Sequence, residues 1–234
     1  MGVTDNVALA NGKTLQYQGR KASRAKSEQR RRLILEAALR IVISDGVRGI
    51  RHRAVAKEAG VPLAATTYYF KDIDELIVDT FTLYTEKALL VVNHFTDQFY
   101  QPFLQGVSSI DLRTREGAHR IVTSLAGQLR AYIANQTGAE RDMLIVEQAF
   151  RYEAVLNPRI RQLAQMHRRA LYNKAVEFLQ LVNSESPEQD AIILLGMFQT
   201  LEYGTLLSDE PDYDIIEATL KRYLMLLVRD FISD

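Results

Sequence analysis

Arg51 and Arg53 stand in the first turn of a short expected helix, where two guanidinium groups oppose the positive end of the helix dipole. That cost suggests an external anion, although solvated surface charge would account for the pair equally well. The surrounding stretch, residues 46–76, reads GVRGIRHRAVAKEAGVPLAATTYYFKDIDEL. It spells two short helices about a Gly-centred turn, followed by a capping signal and a longer helix. A basic segment precedes it. That combination is how a small helical module is built to set one helix into the major groove of DNA. Small or apolar side chains there can read thymine methyls, and Thr66 could add a hydrogen bond.

The elements that must position these groups follow from local signals. Ser27 is an expected N-cap for the first helix, whose stripe is Ile34, Ala37, Ala38 and Ile41 and whose end is Gly46. The second helix spans about 51–59, with Val55 and Ala59 inward. Gly60 supplies the turn. Pro62 fits the first position of the third helix, at about 62–70. Asp72 and Glu75 form a capping-box-like pair for a fourth helix at about 73–99. Helices are then expected at about 114–135, 139–156, 158–183, 187–207 and 213–232, punctuated by Gly138, Asn157-Pro158, Ser184–Pro187 and Asp209–Pro211. The class is all-α with about nine helices. The expected parts are a flexible basic arm at 1–26, a helix-turn-helix domain at 27–72 and a helical body at 73–234.

Composition narrows the function. Residues 1–70 hold thirteen Lys and Arg against five Asp and Glu, so this end carries +8 and residues 71–234 carry −8 within a chain of zero net charge. One end is built to approach a polyanion and the other is not. There is no Cys, which excludes disulfides, thiol catalysis and Cys-ligated zinc. No apolar run approaches the roughly 20 residues of a membrane span. A cytoplasmic protein with no membrane association is expected. No phosphate loop, nucleophile elbow or zinc-protease motif occurs, and His52, His94, His119 and His167 are dispersed. Neither a metal nor a cofactor is expected, and the chain does not read as an enzyme. The alternatives are a helical enzyme or an interaction protein with an appended or vestigial DNA-binding module.

The last two helices are apolar nearly all round, and such helices must be buried on all sides. They are expected to form half of a two-fold four-helix interface in a homodimer, through Leu194, Gly196, Phe198, Leu220, Leu224, Leu227 and Phe231. A monomer core is the alternative. In the preceding helices, apolar stripes carry polar intrusions. Leu125, Leu129 and Tyr132, then Glu147 and Phe150, then His167 and Leu171, are candidates for lining a ligand cavity. The plainer reading pairs Glu147 with Arg151 and leaves His167 as a satisfied core histidine.

Over residues 27–77 the pattern resembles the N-terminal domain of the TetR family of bacterial transcriptional regulators. The matching residues are Gly46, the run Val55-Ala56-Lys57-Glu58-Ala59-Gly60-Val61, Tyr69-Phe70 and Leu76. The segment from Glu147 to Leu163, with its Asn157-Pro158 break, is similar to a common feature of the family's second half. The resemblance implies a double-stranded DNA operator as partner, with Leu63 and Ala64 against base edges and Thr67, Tyr68, Tyr69 and Lys71 on phosphates. It implies that Phe70 closes the three-helix core. It also implies a body that senses a small-molecule effector among the fourth to seventh helices, whose binding tilts the fourth helix and spoils the groove spacing of two recognition helices. Repression is the family default. The chain departs from the pattern at Arg51, where the family has a capping Ser or Thr, at Ala64 for Gly, at Thr67 for Tyr and at Ile73 for a phosphate-contacting Lys that Lys71 could replace. The basic stretch Arg20–Lys26 could enter a flanking minor groove or be a disordered tail.

Overall fold

Apolar stripes at helical spacing require helices packed face to face, and the computed structural model of the chain is built that way. It describes residues 15–20, 25–107, 114–182 and 184–229, with only the helical backbone described for residues 92 and 94–107. The helices are α1 (Ala25–Asp45), α2 (His52–Glu58), α3 (Leu63–Tyr69), α4 (Ile73–Val107), α5 (Arg115–Thr137), α6 (Arg141–Leu156), α7 (Pro158–Leu181), α8 (Pro187–Leu206) and α9 (Tyr213–Val228), with a 3-10 turn at Val47–Gly49. No strand occurs among the described residues.

Local chemistry accounts for the boundaries. Gly60 sits at φ 63°, a conformation that side chains with a Cβ resist, and this turns α2 into α3. Asp72 Oδ1 accepts from the Glu75 amide at 2.8 Å, and Glu75 reaches back to the Lys71 amide at 2.7 Å, so two orphan donors at the start of α4 are satisfied. Asn157 Oδ1 accepts from the Arg159 amide at 2.9 Å and starts α7. Asp212 does the same for α9, accepting from Asp214 and Ile215. Two expectations change. Pro62 is the N-cap of α3 rather than its first residue. Ser27 lies inside α1 and pairs its hydroxyl with that of Tyr69 at 2.9 Å.

The chain forms two compact units. The first holds residues 15–20, 25–91 and 142–170. Its core gathers Ile34, Leu35 and Ala38 of α1, Val55 of α2, Tyr69 and Phe70, then Leu76, Phe81 and Tyr84 of α4, Phe150 of α6 and Ile160 of α7. The helix-turn-helix expected at 27–72 is therefore part of a larger packed body. Residues 15–20, expected to lie in a flexible arm, are seated on it instead. Leu15 and Tyr17 bury apolar surface against the core, and the Gln18 and Gly19 amides bond the buried Asp79 carboxylate. Lys21 and Arg24 of that arm lie outside the described residues.

The second unit packs α5 against α9 and α8. Its core joins Val122, Leu125, Leu129 and Ile133 to Ile216, Leu220, Leu224 and Val228. A neighbouring cluster joins Ala175, Leu179 and Val182 of α7 to Ala191 and Leu194 of α8. Tyr223 ties α9 to the start of α8 by donating its hydroxyl to the Asp190 carbonyl at 2.8 Å. Among the described residues, no helix is long and apolar enough to cross a membrane.

Two glycines should respond to alanine in opposite directions. Gly60→Ala forces a Cβ into a left-handed conformation and is expected to lower stability by about 1–2 kcal/mol. Gly127 lies within α5, and an added Cβ there meets nothing within 4 Å. Gly127→Ala is expected to raise stability by about 0.5–1 kcal/mol. Urea unfolding of the two variants beside the parent reads both signs.

Candidate functional site

The helix α3 is seven residues long, and its two faces differ. Thr66 and Tyr69 are buried, and Phe70 is fully enclosed just beyond its end. Leu63, Ala64, Thr67 and Tyr68 are exposed, and so is Lys71 one turn on. Spacing of four between Leu63 and Thr67 and between Ala64 and Tyr68 places these four on one side, while Lys71 lies beyond the helix, after Phe70 in extended backbone. Arg51 and Arg53 are also exposed. Arg51 is the N-cap of α2 in extended backbone, with no side-chain capping bond, as its replacement of a hydroxyl residue dictates. Among the described residues no carboxylate forms an ion pair with Arg51, Arg53 or Lys71.

Two sequence-based assignments are corrected by this geometry. Thr66 has no exposure, and its hydroxyl donates to the Leu63 carbonyl at 2.8 Å, so it cannot meet a base. Tyr69 is buried, and its hydroxyl is engaged with Ser27, so it does not present itself to a phosphate. In a helix of two turns, a one-residue error in phase separates an outward residue from an inward one. Sequence reasoning offered Arg20 for a flanking minor groove or a disordered tail and did not foresee its seat on α3. Its guanidinium lies over the Tyr68 ring, 4.3 Å from the centroid, and its amide donates to the Tyr69 carbonyl at 2.9 Å. No periodic signal marks so short a segment.

The residues suggested as a ligand cavity fall in different units. Leu125 and Leu129 are core side chains between α5 and α9, and Tyr132 sets its ring edge-on to Phe198 at 6.1 Å. Leu171 is half-buried. In the other unit, Glu147 accepts from the Tyr84 hydroxyl at 3.1 Å and faces Arg151 at 3.9 Å. Phe150 is fully buried, against Phe81 and Tyr84. His167 is buried with its ring edge-on to Tyr84 at 5.8 Å. Burial lowers its basicity, and the nearby Glu147 charge only partly offsets this. Among the described residues no group of three His, Cys, Asp or Glu side chains is arranged to hold a metal.

The residues suggested for a dimer interface also divide. Leu194, Leu220 and Leu224 are buried within their own unit, so their apolar surface is already used. Phe198 and Leu227 are half-buried and Gly196 is exposed. Phe231 lies outside the described residues. The large apolar side chains that α8 and α9 leave exposed are Ile192, Ile193, Tyr203, Ile215 and Leu226.

No family model matches the chain. Over 61 residues it is 42% identical to the HTH-type transcriptional regulator PksA of Bacillus subtilis (strain 168), a match covering 26% of this chain and 30% of that relative. The chain thus matches less than a third of that curated relative's length. Among solved structures, a member of the TetR family from Streptomyces coelicolor A3 is 25% identical, with a TM-score of 0.60 over 83% of this chain and 98% of the other. These two likenesses support a TetR-family regulator. A transcriptional regulator from Saccharomonospora viridis, solved in complex with choline, is 18% identical with a TM-score of 0.61 over 84% of this chain and 96% of the other. That likeness is one of fold.

The buried imidazole gives the chain a definite response to acid. His167 titrates in the folded state below its ordinary value of about 6.5. Its neutral form is therefore compatible with full stability above that value. As pH falls below about 6.5 the unfolded chain takes up the proton first, and stability declines until the folded pKa is reached. The decline approaches at most about 1.4 kcal/mol per pH unit for one such group. Unfolding of the parent and of His167→Gln between pH 7.5 and 5 should show the steeper loss in the parent.

Proposed function

We propose that the chain is a DNA-binding transcriptional regulator, a repressor that grips a near-palindromic operator as a homodimer in the cytoplasm and is released by a small-molecule effector. The observation that carries the reading is the outward face of α3, Leu63, Ala64, Thr67 and Tyr68, with the exposed Lys71 just beyond it and the exposed Arg51 and Arg53 at the start of α2, none of these cations in an ion pair among the described residues. In a helix-turn-helix the second helix enters the major groove, with its N-terminal residues on base edges. Leu63 and Ala64 occupy that end and suit thymine methyls. Thr67, Tyr68 and Lys71 lie toward the other end, where hydroxyl and ammonium donors meet phosphates. Arg51 and Arg53 at the start of α2 add two more cations for the backbone.

One such module spans few base pairs, so two copies are needed for an operator of useful specificity. The apolar outward face of α8 and α9 supports that assembly. Ile192, Ile193, Gly196, Tyr203 and Gly204 line one side of α8, and Ile215, Ala218 and Leu226 one side of α9. Exposed apolar surface of that extent marks an association site, and the small residues let helices approach closely. The interface we propose is this exposed set, in place of the buried Leu194, Leu220 and Leu224.

The effector reading rests on the polar groups set within the apolar first unit, Tyr84, Glu147 and His167. An effector works only by binding one of two states more tightly. A molecule that offered Glu147 a better partner than Tyr84, or that used the buried imidazole, would change what holds α4 to α6.

The decisive experiment is a gel shift with duplex fragments from upstream of the chain's own gene and its neighbours, across a salt series. The parent should bind one fragment, with affinity falling steeply as salt rises. Arg51→Ala, Arg53→Ala and Lys71→Ala should each flatten the logarithmic salt dependence by about 0.9, the loss of one phosphate contact. No binding to any fragment at low salt would refute the reading. For the assembly, Ile193→Asp on the exposed α8 face should give a stably folded monomer by sedimentation and weaken operator binding at least tenfold. A variant that still sedimented as the parent does would exclude α8 from the interface.

A further inference from the structure

Residues 15–20 are remote in sequence from the helix-turn-helix, yet they end on its reading helix. Gln18 and Gly19 donate their amides to the two oxygens of Asp79, at 2.7 and 2.9 Å. The Asp79 side chain has no exposure, and its other partner is Arg31 at 3.5 Å. A buried carboxylate needs donors, and this segment supplies two from its backbone. Tyr17 donates its hydroxyl to Glu86 and lies under the Arg31 guanidinium, 4.1 Å from ring centroid to carbon. Gly19 is buried so closely that a Cβ there would stand 2.9 Å from both Asp79 Oδ2 and Phe70 Cε1. The segment is therefore fitted to its seat by a specific residue at the tightest point.

Arg20 is the next residue along the chain. Its amide caps the Tyr69 carbonyl, one of the groups the C-terminus of α3 leaves unpaired. Its side chain is exposed and stacks over the outward Tyr68, and among the described residues no carboxylate forms an ion pair with it. A guanidinium is thus held on the outer surface of the reading helix, at the end opposite Leu63. In helix-turn-helix docking the N-terminal end reads bases, so a cation at the other end faces the sugar–phosphate backbone.

We propose that residues 15–20 are a strap, docked on Asp79, that delivers Arg20 to the DNA backbone, where it binds a phosphate together with Tyr68. The strap rests on the DNA-binding function proposed for the chain and adds a contact from outside the helix-turn-helix. Arg20 is the contacting residue, and Asp79 is a positioning residue that never touches DNA.

The test uses the full chain and the duplex that the parent binds, across a salt series, with thermal melts of every variant. Arg20→Ala changes an exposed side chain and should fold as the parent does. It should weaken binding roughly tenfold and lower the logarithmic salt slope by about 0.9. Arg20→Lys should restore the slope, because a charge is returned to the same place. Asp79→Asn turns one acceptor into a donor. It should lose the same slope through release of the strap, and combining it with Arg20→Ala should cause no further loss of slope. Parental affinity and slope in Arg20→Ala would overturn the proposal while leaving the DNA-binding reading intact. Independent, additive slope losses in the double variant would overturn the link between Asp79 and Arg20. A parent that binds no duplex would remove both readings together.

Discussion

A helix of seven residues does not hold together alone in water, because nucleation consumes most of what so few hydrogen bonds return. The helix α3 exists because one of its sides is buried. Phe70 is fully enclosed, and burying a side chain of that size contributes about 1.5–3 kcal/mol. Thr66 and Tyr69 go inward with it, and each satisfies its hydroxyl inside the unit, on the Leu63 carbonyl and on Ser27. No polar group on that side is left needing water. The opposite side is thereby released from structural duty, and side chains with no internal partner can be placed there. The exposed Tyr68 ring beside the buried Tyr69 ring, edge-on at 5.1 Å, shows how sharply the division is drawn within two neighbouring residues.

The same separation of duties governs the second unit. The apolar residues of α8 and α9 carry two different tasks. Leu194, Leu220 and Leu224 close their own core, while Ile192, Ile193, Ile215 and Leu226 face outward. A helix that is apolar on both sides is stable only if both sides find cover. The inner cover is within the chain, from α5 and α7. In the assembly proposed above the outer cover comes from a second copy of the chain, a self-complementary patch being the simplest closed solution.

The parts of this molecule legible in its sequence are those set by neighbouring residues. Gly60, the Asp72 and Glu75 pair, and Asn157-Pro158 each act over a few positions, and the helices they bound stand within a few residues of where local signals place them. Helical phase over long stripes was legible too, since Ile34, Ala37, Ala38 and Ile41 are all buried. Over two turns the inward side is not marked so plainly, and Thr66, offered for a hydrogen bond to a base, and Tyr69, placed on a phosphate by the resemblance, are both buried. The inner and outer sides of α8 could not be told apart, because hydrophobicity does not say which apolar residue meets which neighbour. The strap was illegible for a different reason. Its bonds to Asp79 join residues 61 and 60 positions apart, and neither Gln18 nor Gly19 has a side chain that announces them. Asp79 in turn reads as one more charge on a long helix until its burial is known.

The helix α4 concentrates the consequences. Leu76 and Asp79 support the reading helix and the strap, and Tyr84 bonds Glu147 and touches His167. Asp79 and Tyr84 are five residues apart, about 7.5 Å along the axis, too short a distance for a helix to absorb a displacement silently. Between and beside them, Thr80, Thr82 and Thr85 are all buried and donate their hydroxyls to the carbonyls of Leu76, Val78 and Phe81. Such back-bonding weakens the helical ladder slightly and favours bending. Phe81 and Tyr84 are meanwhile stacked against Phe150, which holds this stretch to α6. A stretch both softened in its backbone and clamped by its aromatic side chains keeps one geometry only while the clamp holds. On the function proposed here, an effector that changed the partners of Tyr84 would act on the segment that carries Asp79, and through it on the placement of Arg20 and Tyr68.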